Sequence, residues 1–302
     1  MQPLNTIVFQ TPTVRVGAFR CPVGDARFQN TGPIDEPIVV FPRSAVWIRH
    51  AGSRAFVADP GIVTIYNRGQ EYTRAPLARD GDRSDWFAVA PEMALALACE
   101  LDPAAADRPD RPYRAEWTPS DSEIYLRQRW LFRRFERGGV DILEGEESVL
   151  GLVAEVIRRS AGPSRTVRPS RPTAEAHRDL AQRARAELAR DPTASTDLTT
   201  LARRLEVSPF HLCRVFRAMN GTSLHDYRIE LRLRLALERL ADRLTDLSRL
   251  AFELGFSSHS HFTQTFKARL GVTPSALRLQ LQLGQKGRNG RNSRTSRKVG
   301  LS

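Results

Sequence analysis

Residues 1–99 alternate short apolar runs with turn residues. The runs are rich in Val, Ile and aromatic side chains and are bounded by Gly, Pro, Asn and Asp, a pattern typical of short β-strands. The clearest runs are TVRVGAFRC, PIVVFP, AVWIRH, AFVADPGIVTIYN and WFAVAP. Helical periodicity begins only later, at about residues 119–137 and again at 147–159. We therefore predict a β-rich N-terminal domain followed by a pair of helices.

The second helix of that pair has an apolar stripe along one face. The stripe consists of Val149, Val153, Val156 and Ile157. An apolar stripe of this kind has to pack against another surface. Two surfaces are open as partners, the back of the β domain in the same chain and a second subunit.

Two segments have no apolar period. Residues 160–175, SAGPSRTVRPSRPTAE, contain three prolines among Ser and Arg and are predicted to be an exposed linker. The stretch GQKGRNGRNSRTSRKVGLS has six basic and no acidic residues, so it cannot form a core. The predicted organisation is a domain at 1–160, a separable linker at 161–174, an all-α domain at 175–283 and a disordered basic tail at 284–302.

The predicted all-α domain contains one pattern twice. The copies are LARRLEVSPFHLCRVFRAMNGTS, residues 201–223, and LAFELGFSSHSHFTQTFKARLGVTP, residues 250–274. Each predicts a short helix, a turn and a second helix that begins at Ser208 or Ser258 and ends at Gly221 or Gly271. Ser is a good N-cap and Gly a good C-terminal stop. The small residues expected where another helix comes close are Ala202 and Ala251. This is the helix-turn-helix pattern, twice.

A third predicted helix connects the two copies. About 20 residues at a rise of ~1.5 Å give roughly 30 Å, close to the ~34 Å between successive major-groove faces of DNA. A rigid helix of that length would set two recognition helices into adjacent grooves. Its arginines are equally suited to phosphate contacts and to ion pairs with Glu230 and Glu238; they are Arg228, Arg232, Arg234 and Arg239.

The second copy contains a His-x-His sequence, His259 and His261. Residues two apart on a helix point about 200° apart, so they cannot easily bind one metal ion. An exposed polar N-terminus of a second helix is instead the part that enters the major groove. We therefore favour DNA contact over zinc, with a capping or packing role as the alternative for His261.

The charge distribution also points to a polyanion. The net charge of +12 divides into −2 for residues 1–160, from 20 Lys+Arg against 22 Asp+Glu, and +14 for residues 161–302, from 26 against 12. Clustered basic residues gain from neutralising phosphates and releasing counterions. The charge alone would fit either a nucleic-acid-binding module or a basic solvated surface.

Several classes of function lack their sequence signals. The scattered cysteines, Cys21, Cys99 and Cys213, argue against a disulfide scaffold or a zinc ribbon, and buried free thiols are the expected state. The start of the chain lacks a signal-peptide pattern and no apolar run of ~18 residues occurs, so a cytoplasmic protein without membrane contact is expected. Neither a cofactor nor an enzymatic activity is predicted.

Residues 177–278 resemble the DNA-binding domain of the AraC/XylS family of transcription regulators. The segment LAFELGFSSHSHFTQTFKARLGVTPSALR is similar to the family pattern of Ile/Leu-Ala, Gly-Phe, Ser-x-Ser-x-Phe, Phe-Lys, Gly and Pro. One departure lies at Ala276 and Leu277, where the family usually has an aromatic residue before the arginine. The resemblance covers about a third of the chain, and it implies a sequence-specific transcription regulator.

The resemblance implies base-reading positions in both copies. In the first copy Arg214 suits guanine, and in the second Gln264 suits adenine. Phe210 and Cys213 suit a thymine methyl group, unless they are core side chains. The other implied positions are His259, Ser260 and Thr263 for bases, and Arg217 and Lys267 for phosphates.

The resemblance further implies a cupin-like N-terminal domain for effector binding and dimerisation. The segment YNRGQEY, residues 66–72, resembles one seen between barrel strands in this class and would be structural or ligand-contacting. His50 is the one histidine in residues 1–160, so metal-dependent cupin chemistry is not expected. The expected fold is α+β and multidomain, and the expected partners are double-stranded DNA, RNA polymerase, a small-molecule effector and a second copy of the chain.

Two other classes of protein remain open. One is an enzymatic or repair module fused to a DNA-binding domain, which would need a reactive Cys21 or Cys99 in a basic pocket. The other is an architectural basic protein, which would bind DNA with a steep salt dependence and no sequence preference.

Overall fold

A computed structural model describes residues 4–77, 79, 81–161, 171–240 and 246–279 of the chain, without the side chains of residues 171 and 172. Its strands are β1 (Asn5–Gln10), β2 (Val14–Cys21), β3 (Ile38–Pro42), β4 (Val46–His50), β5 (Phe56–Ala58), β6 (Ile62–Tyr66), β7 (Tyr72–Pro76), β8 (Asp82–Val89) and β9 (Trp117–Pro119). Its helices are α1 (Pro91–Leu101), α2 (Ser122–Arg137), α3 (Ile142–Ser160), α4 (Arg171–Arg190), α5 (Leu198–Arg204), α6 (Pro209–Asn220), α7 (Leu224–Arg239), α8 (Leu247–Glu253) and α9 (His259–Leu270), with a short 3₁₀ helix at Pro103–Asp107.

Contacts within the chain divide it into two units. The first unit is Met1–Asp191 with Thr196–Arg228, and the second is Pro192–Ser195 with Ile229–Ser302. An N-terminal β-rich part and a C-terminal helical part are therefore present as predicted, but α4, α5 and α6 group with the strands. Because α4 begins at Arg171, the last residues of the predicted linker, 171–174, are helical; residues 162–170 and the predicted tail lie outside the described residues.

The strands form two antiparallel sheets in the first unit. A six-stranded sheet has the order β1-β2-β8-β3-β6-β9, and a three-stranded sheet has the order β5-β4-β7. The five runs predicted as strands supply β2, β3, β4, β5 with β6, and β8. The strands β1, β7 and β9 were not predicted.

Alternation along the strands gives the larger sheet two different faces. In β8, Phe87 and Val89 pack towards the helices, whereas Trp86 and Ala88 pack towards the smaller sheet. The same alternation occurs in β3, since successive side chains of a strand point to opposite faces. One apolar core therefore lies between the large sheet and α1–α3, and a second lies between the two sheets.

The apolar stripe of α3 belongs to the first of these cores. Val149, Val153, Val156 and Ile157 are buried against the helix side of the large sheet. Of the two partners left open, the back of the β domain is the observed one, and the hypothesis that this stripe is a dimer face is wrong. The stripe is buried because β2 and β8 present apolar side chains to the same space.

An additional helix, α1, corrects the prediction that helical periodicity begins only near residue 119. Its sequence PEMALALACEL has Pro at the first position and three alanines, both favourable for helix formation. The alternation of Ala and Leu resembles strand spacing, which explains why the sequence pattern did not reveal it. Two alanines of α1, Ala94 and Ala98, are buried against the core.

Helix α4 covers the open edge of the smaller sheet. The strand β5 is the end strand of that sheet, and the backbone N–H of Val57 donates to Gln182 Oε1 of α4 at 2.9 Å. Closer to the N-terminus of α4, Glu175 forms an exposed ion pair at 2.8 Å with Arg54, which precedes β5. An unpaired edge N–H is thereby satisfied by a side chain.

In the second unit a buried arginine of α7 holds a loop segment. Arg232 donates from Nε to the carbonyl oxygen of Pro192 and from Nη1 to that of Gly255, both at 2.7 Å. Arg239 instead pairs with Glu253 at 3.0 Å. These arginines therefore have structural partners, where the sequence left phosphate contacts open. Helix α7 has 16 residues, shorter than the 20 expected.

Candidate DNA-binding helices and a ligand cavity

In the first helix pair, α5 and α6, the second helix is capped at both of its ends by the expected residue types. Ser208 is the N-cap of α6, and its hydroxyl accepts a hydrogen bond from the N–H of His211 at 3.2 Å. Gly221 ends α6 in the left-handed conformation, with its N–H donating to the Arg217 carbonyl oxygen. Both ends of the helix were predicted from these two residue types. Ala202 is buried, as its small side chain suggested.

The second pair, α8 and α9, repeats the same local structure. The Ser258 hydroxyl accepts from the N–H of His261 at 3.1 Å, and Gly271 is left-handed, with its N–H donating to the Lys267 carbonyl oxygen. Ala251 is buried like its counterpart. The two copies of the sequence pattern therefore form two helix pairs with equivalent caps.

The turns inside the two pairs also match. The N–H of Val207 donates to the Ala202 carbonyl oxygen at 3.1 Å, and that of Phe256 donates to the Ala251 carbonyl oxygen at 3.0 Å. The residue just before the donor is left-handed in both turns. It is Gly255, φ 77°, in the second copy and Glu206, φ 60°, in the first.

The implied base-reading residues of α6 lie on its exposed face. Phe210 is 79% exposed, and Cys213, Arg214 and Arg217 are exposed as well. The alternative that Phe210 and Cys213 are core side chains is therefore wrong, and so is the expectation of a buried thiol at Cys213. The core side of the helix is filled by Leu212, Val215 and Phe216.

Helix α9 presents a similar polar face. His259, Ser260, Gln264 and Lys267 are exposed, whereas Thr263 is half-buried. The core side consists of Phe262 and Phe266, both fully buried.

The two histidines of α9 have separate partners. His259 Nε2 lies 3.5 Å from the Thr263 hydroxyl, and His261 Nδ1 lies 3.0 Å from the Ser257 hydroxyl. The His261 ring packs against Phe256 with the ring centroids 5.5 Å apart. The packing contact left open for His261 is therefore present, although its side chain is also exposed. The described residues contain no cluster of His, Cys, Asp or Glu side chains that could hold a metal ion.

A cavity of about 460 Å³ lies between the two sheets of the first unit. Its walls combine apolar side chains of β3, β4 and β5 with aromatic ones. The aromatic side chains are Phe19, Tyr66, Tyr72 and Trp86. The walls also carry polar and charged side chains, among them Arg15, Arg27 and Glu36. The size of the cavity is within the range of small-molecule sites.

The polar groups of the cavity are largely bonded to each other. Trp86 Nε1 donates to Asn5 Oδ1 at 3.0 Å, and the Tyr72 hydroxyl lies 3.0 Å from that of Thr31. Asp82 accepts from Arg74 Nη1 at 2.8 Å. Burial raises the pKa of the Asp82 carboxyl, and the Arg74 guanidinium opposes that effect. Burial likewise raises the pKa values of both cavity tyrosines.

The segment at residues 66–72 lines the cavity at its two ends and has a structural role between them. Tyr66 and Tyr72, at its two ends, line the cavity. Between them Asn67 is structural, because its side chain donates to and accepts from the backbone of Tyr113 at 2.9 and 3.0 Å. His50 is buried in the same region, with Nδ1 3.5 Å from Glu116 Oε1.

Comparison with known proteins places the helix pairs in a family. A family description, helix-turn-helix domain, matches residues 201–280. The HTH-type transcriptional regulator GlxA of Rhizobium meliloti is 42% identical over 82 residues, which are 27% of this chain and 25% of that protein. The probable transcription factor PqrA of Proteus vulgaris is 32% identical over 81 residues, covering 27% of this chain and 66% of that protein. The chain thus matches about a quarter of the first relative's length.

The helix-turn-helix region, residues 201–280, belongs to the AraC-type family, as the resemblance in its sequence indicated. Among solved structures, the unsaturated fatty acid bound ToxT of Vibrio cholerae is similar over 92% of this chain and 97% of its own, at 12% identity and a TM-score of 0.36. No helix in the described part of the chain is long and apolar enough to cross a membrane.

Sequence reasoning missed the cavity walls and one buried polar group. Apart from the two tyrosines of residues 66–72, no cavity residue was singled out, because its polar and apolar residues come from many separate strands. The buried polar group joins Asp59, Arg185 and Tyr227. The turn sequence Asp-Pro-Gly at Asp59 signals only a turn, and nothing local indicates partners more than a hundred residues away.

Proposed function

We propose that the protein is a sequence-specific DNA-binding transcription regulator of the AraC type whose first unit binds a small-molecule effector. The duplicated helix pairs act as two helix-turn-helix motifs, and the two-sheet part is a cupin-like effector domain. RNA polymerase and a second copy of the chain are further partners in this proposal.

The carrying observation is the duplicated, capped helix with an exposed polar N-terminal face. Helices α6 and α9 have the same caps and the same core spacing, yet the residues at their proposed base-reading positions differ: Phe210, Cys213 and Arg214 in α6 correspond to Ser260, Thr263 and Gln264 in α9. A pair of structural helices would gain nothing from such different exposed side chains. Two base-reading helices would require them, because each has to match a different sequence.

Each helix divides into a base-reading part and a phosphate part. Arg214 can donate to guanine O6 and N7, and Gln264 can pair with adenine. His259, Ser260 and Thr263 on α9, with Phe210 and Cys213 on α6, complete the proposed base contacts. Arg217 and Lys267 lie about one helical turn further on, where a cation reaches the DNA backbone.

The cavity supports the effector part of the proposal. The aromatic and aliphatic walls would bind the apolar part of a ligand, and the polar and charged side chains of the cavity would bind its polar groups. A small aromatic or aliphatic ligand with polar groups fits these walls best. In this proposal Val40→Trp fills the cavity and abolishes the ligand-induced rise in melting temperature that the unaltered chain gives in a screen of such compounds.

The DNA part is tested with duplexes selected by the full chain from a random pool. Arg214→Ala and Gln264→Ala should each cost about 1–3 kcal/mol of binding and relax the preference at different base pairs, about one helical turn apart. Arg249→Ala is the matched control, since Arg249 is exposed on α8 and pairs with Glu253 at 2.8 Å. Equal losses on selected and random duplexes would contradict base reading and favour an architectural protein.

The rival hypothesis of an enzymatic or repair module has less support. Cys21 is buried, and burial raises the pKa of its thiol, which opposes nucleophilic reactivity. The relatives found are named as transcription regulators.

A further inference from the structure

Within the first unit, a closed set of hydrogen bonds joins a β-turn to α4 and to the first turn of α7. We call it the Asp59 triangle, formed by Asp59 between β5 and β6, Arg185 of α4 and Tyr227 in the first turn of α7. Arg185 donates from Nη2 to Asp59 Oδ2 and from Nε to the Tyr227 hydroxyl oxygen, both at 2.9 Å. The Tyr227 hydroxyl in turn donates to Asp59 Oδ2. The other oxygen, Oδ1, accepts from the N–H of Gly61 at 2.7 Å.

The three side chains of the Asp59 triangle are buried and hydrogen-bonded to one another. The side chains of Asp59 and Arg185 are 0% and 1% exposed. Burial acts to lower the pKa of Arg185, but the Asp59 carboxylate and Tyr227 outweigh it and the pKa is raised; burial also raises the pKa of Tyr227. The arginine therefore stays charged and the phenol stays protonated. Removing any partner leaves a buried polar group without its bond, which is costly.

One side of the triangle adjoins the cavity. Asp59 directly follows Ala58, the last residue of β5, which is part of the cavity wall. Thr64 and Tyr66 of β6, on the far side of the same turn, also line the cavity. A change in the spacing of β5 and β6 therefore displaces Asp59.

The other side adjoins the proposed DNA-reading helix. The Tyr227 ring packs edge-on against Phe216 of α6, with the ring centroids 5.5 Å apart. Phe216 is fully buried, and the exposed Arg214 and Arg217 lie within two residues of it. A movement of Tyr227 is thus passed directly to the helix that carries these arginines.

We infer that the Asp59 triangle is the coupling element between the cavity and α6, so that a ligand altering the β5–β6 turn changes how α6 presents its base-reading face. The inference rests on the proposed function, because it takes α6 as a DNA-reading helix and the cavity as a ligand site. Arg185 and Tyr227 would move together with Asp59, because an unpaired charge or hydroxyl at this buried position is unfavourable. Two sites linked in this way influence each other reciprocally.

Reciprocity allows a test without knowledge of the effector. Amide hydrogen exchange is measured on the full chain with and without a duplex selected by that chain. Binding of the duplex should slow exchange in residues 56–66 by about fivefold or more. In Tyr227→Phe the slowing should fall below about twofold, since the hydroxyl that closes the triangle is gone.

Tyr113→Phe is the matched control, because Tyr113 is buried and its hydroxyl has no hydrogen-bond partner among the described residues. It should keep the full effect of the duplex. A second pair of variants compares Asp59→Asn with Asp85→Asn, which removes a buried carboxylate bonded to Gln128 and Arg129 elsewhere in the first unit. The tyrosine pair alone decides the question if either aspartate variant does not fold.

Two results would overturn the inference: a bound duplex that leaves exchange in residues 56–66 unchanged, or slowing that persists in Tyr227→Phe. If the chain selects no duplex, the proposed function fails, and exchange in α4 and α6 without DNA then decides the inference. Faster exchange there in Tyr227→Phe than in Tyr113→Phe would support the triangle as the clamp on these helices. Equal exchange in the two variants would refute it.

Discussion

At the scale of single residues, the two helix pairs differ at the left-handed position of their turns. Gly255 adopts that conformation without strain, and the space around it is filled. An added Cβ would lie 2.6 Å from the Thr193 carbonyl oxygen and 2.8 Å from Arg232 Nη2. Glu206 adopts the same conformation with a side chain, which costs about 1–2 kcal/mol relative to the usual helical region.

Glu206→Gly should therefore stabilise the chain. The relief of strain is partly offset by the greater freedom of Gly in the unfolded chain, so we expect a net gain of about 0.5–1 kcal/mol. Calorimetric melting of the full chain measures it. Glu206→Ala is the control, since it keeps the Cβ; a gain as large as that of Gly would show that the backbone strain is not the cause. Gly255→Ala should lower the melting temperature.

The helix caps were predictable from single residues, and the left-handed turn of the first copy was not. The Ser208 hydroxyl and the absence of a side chain at Gly221 act within four residues, so the sequence indicates their roles directly. Glu206 has no such signal, and its conformation follows from the turn that its neighbours form. The exposure of Cys213 was not predictable for a similar reason, because a cysteine suits both a core and a surface.

At the scale of elements, the position of α3 changes what a charge in its apolar stripe would do. Val153→Glu should unfold the first unit or strongly lower its melting temperature, because it places an unpaired charge against the large sheet. We expect a loss of several kcal/mol, on the order of that for other buried charges. Glu147→Gln, on an exposed position of the same helix, is the control.

Melting curves and ultracentrifugation of Val153→Glu distinguish unfolding of the first unit from dissociation of a dimer. A variant that keeps its melting temperature but has half the mass of the unaltered protein would restore the stripe as a subunit interface.

The strands of the sheet core were predictable because β3 and β8 are rich in β-branched and aromatic residues. The strand β7 escaped prediction because its sequence YTRAP contains a charged residue and a proline. Arg74 is nevertheless buried there, since Asp82 and the ring of Phe19 hold its guanidinium, the latter at 4.6 Å. A strand whose burial depends on a partner elsewhere in the chain has no local signature.

At the scale of the whole molecule, the excess of basic residues lies in the second half of the chain, including residues 284–302. Deleting residues 284–302 removes six of the basic residues. Binding to selected and random duplexes should weaken alike, and the slope of log affinity against log salt should become flatter, by about 0.9 for each DNA phosphate that the protein no longer neutralises. Arg217→Ala and Lys267→Ala should act in the same way, each by about one phosphate. A slope unchanged by the deletion would mean that the tail contributes nothing.

The sequence could predict the two kinds of architecture along the chain, because strand and helix periods and charge are local properties. It could not predict that α4 would group with the strands. That grouping depends on Gln182 meeting Val57 and on Arg185 meeting Asp59, pairs that are 125 and 126 residues apart in the chain. No local sequence pattern in either segment indicates which distant residue it contacts. The predicted domain boundary at residue 160 therefore stays a prediction about which parts of the chain fold independently.

The cover that α4 gives to β5 has a consequence for shortened forms of the protein. A product ending before Arg171 keeps β5 as the end strand but lacks the side chain that occupies the N–H of Val57. Its open row of backbone donors and acceptors would then be a template for a strand from another molecule. Such a product would self-associate with increasing concentration, so α4 also protects the three-stranded sheet from aggregation.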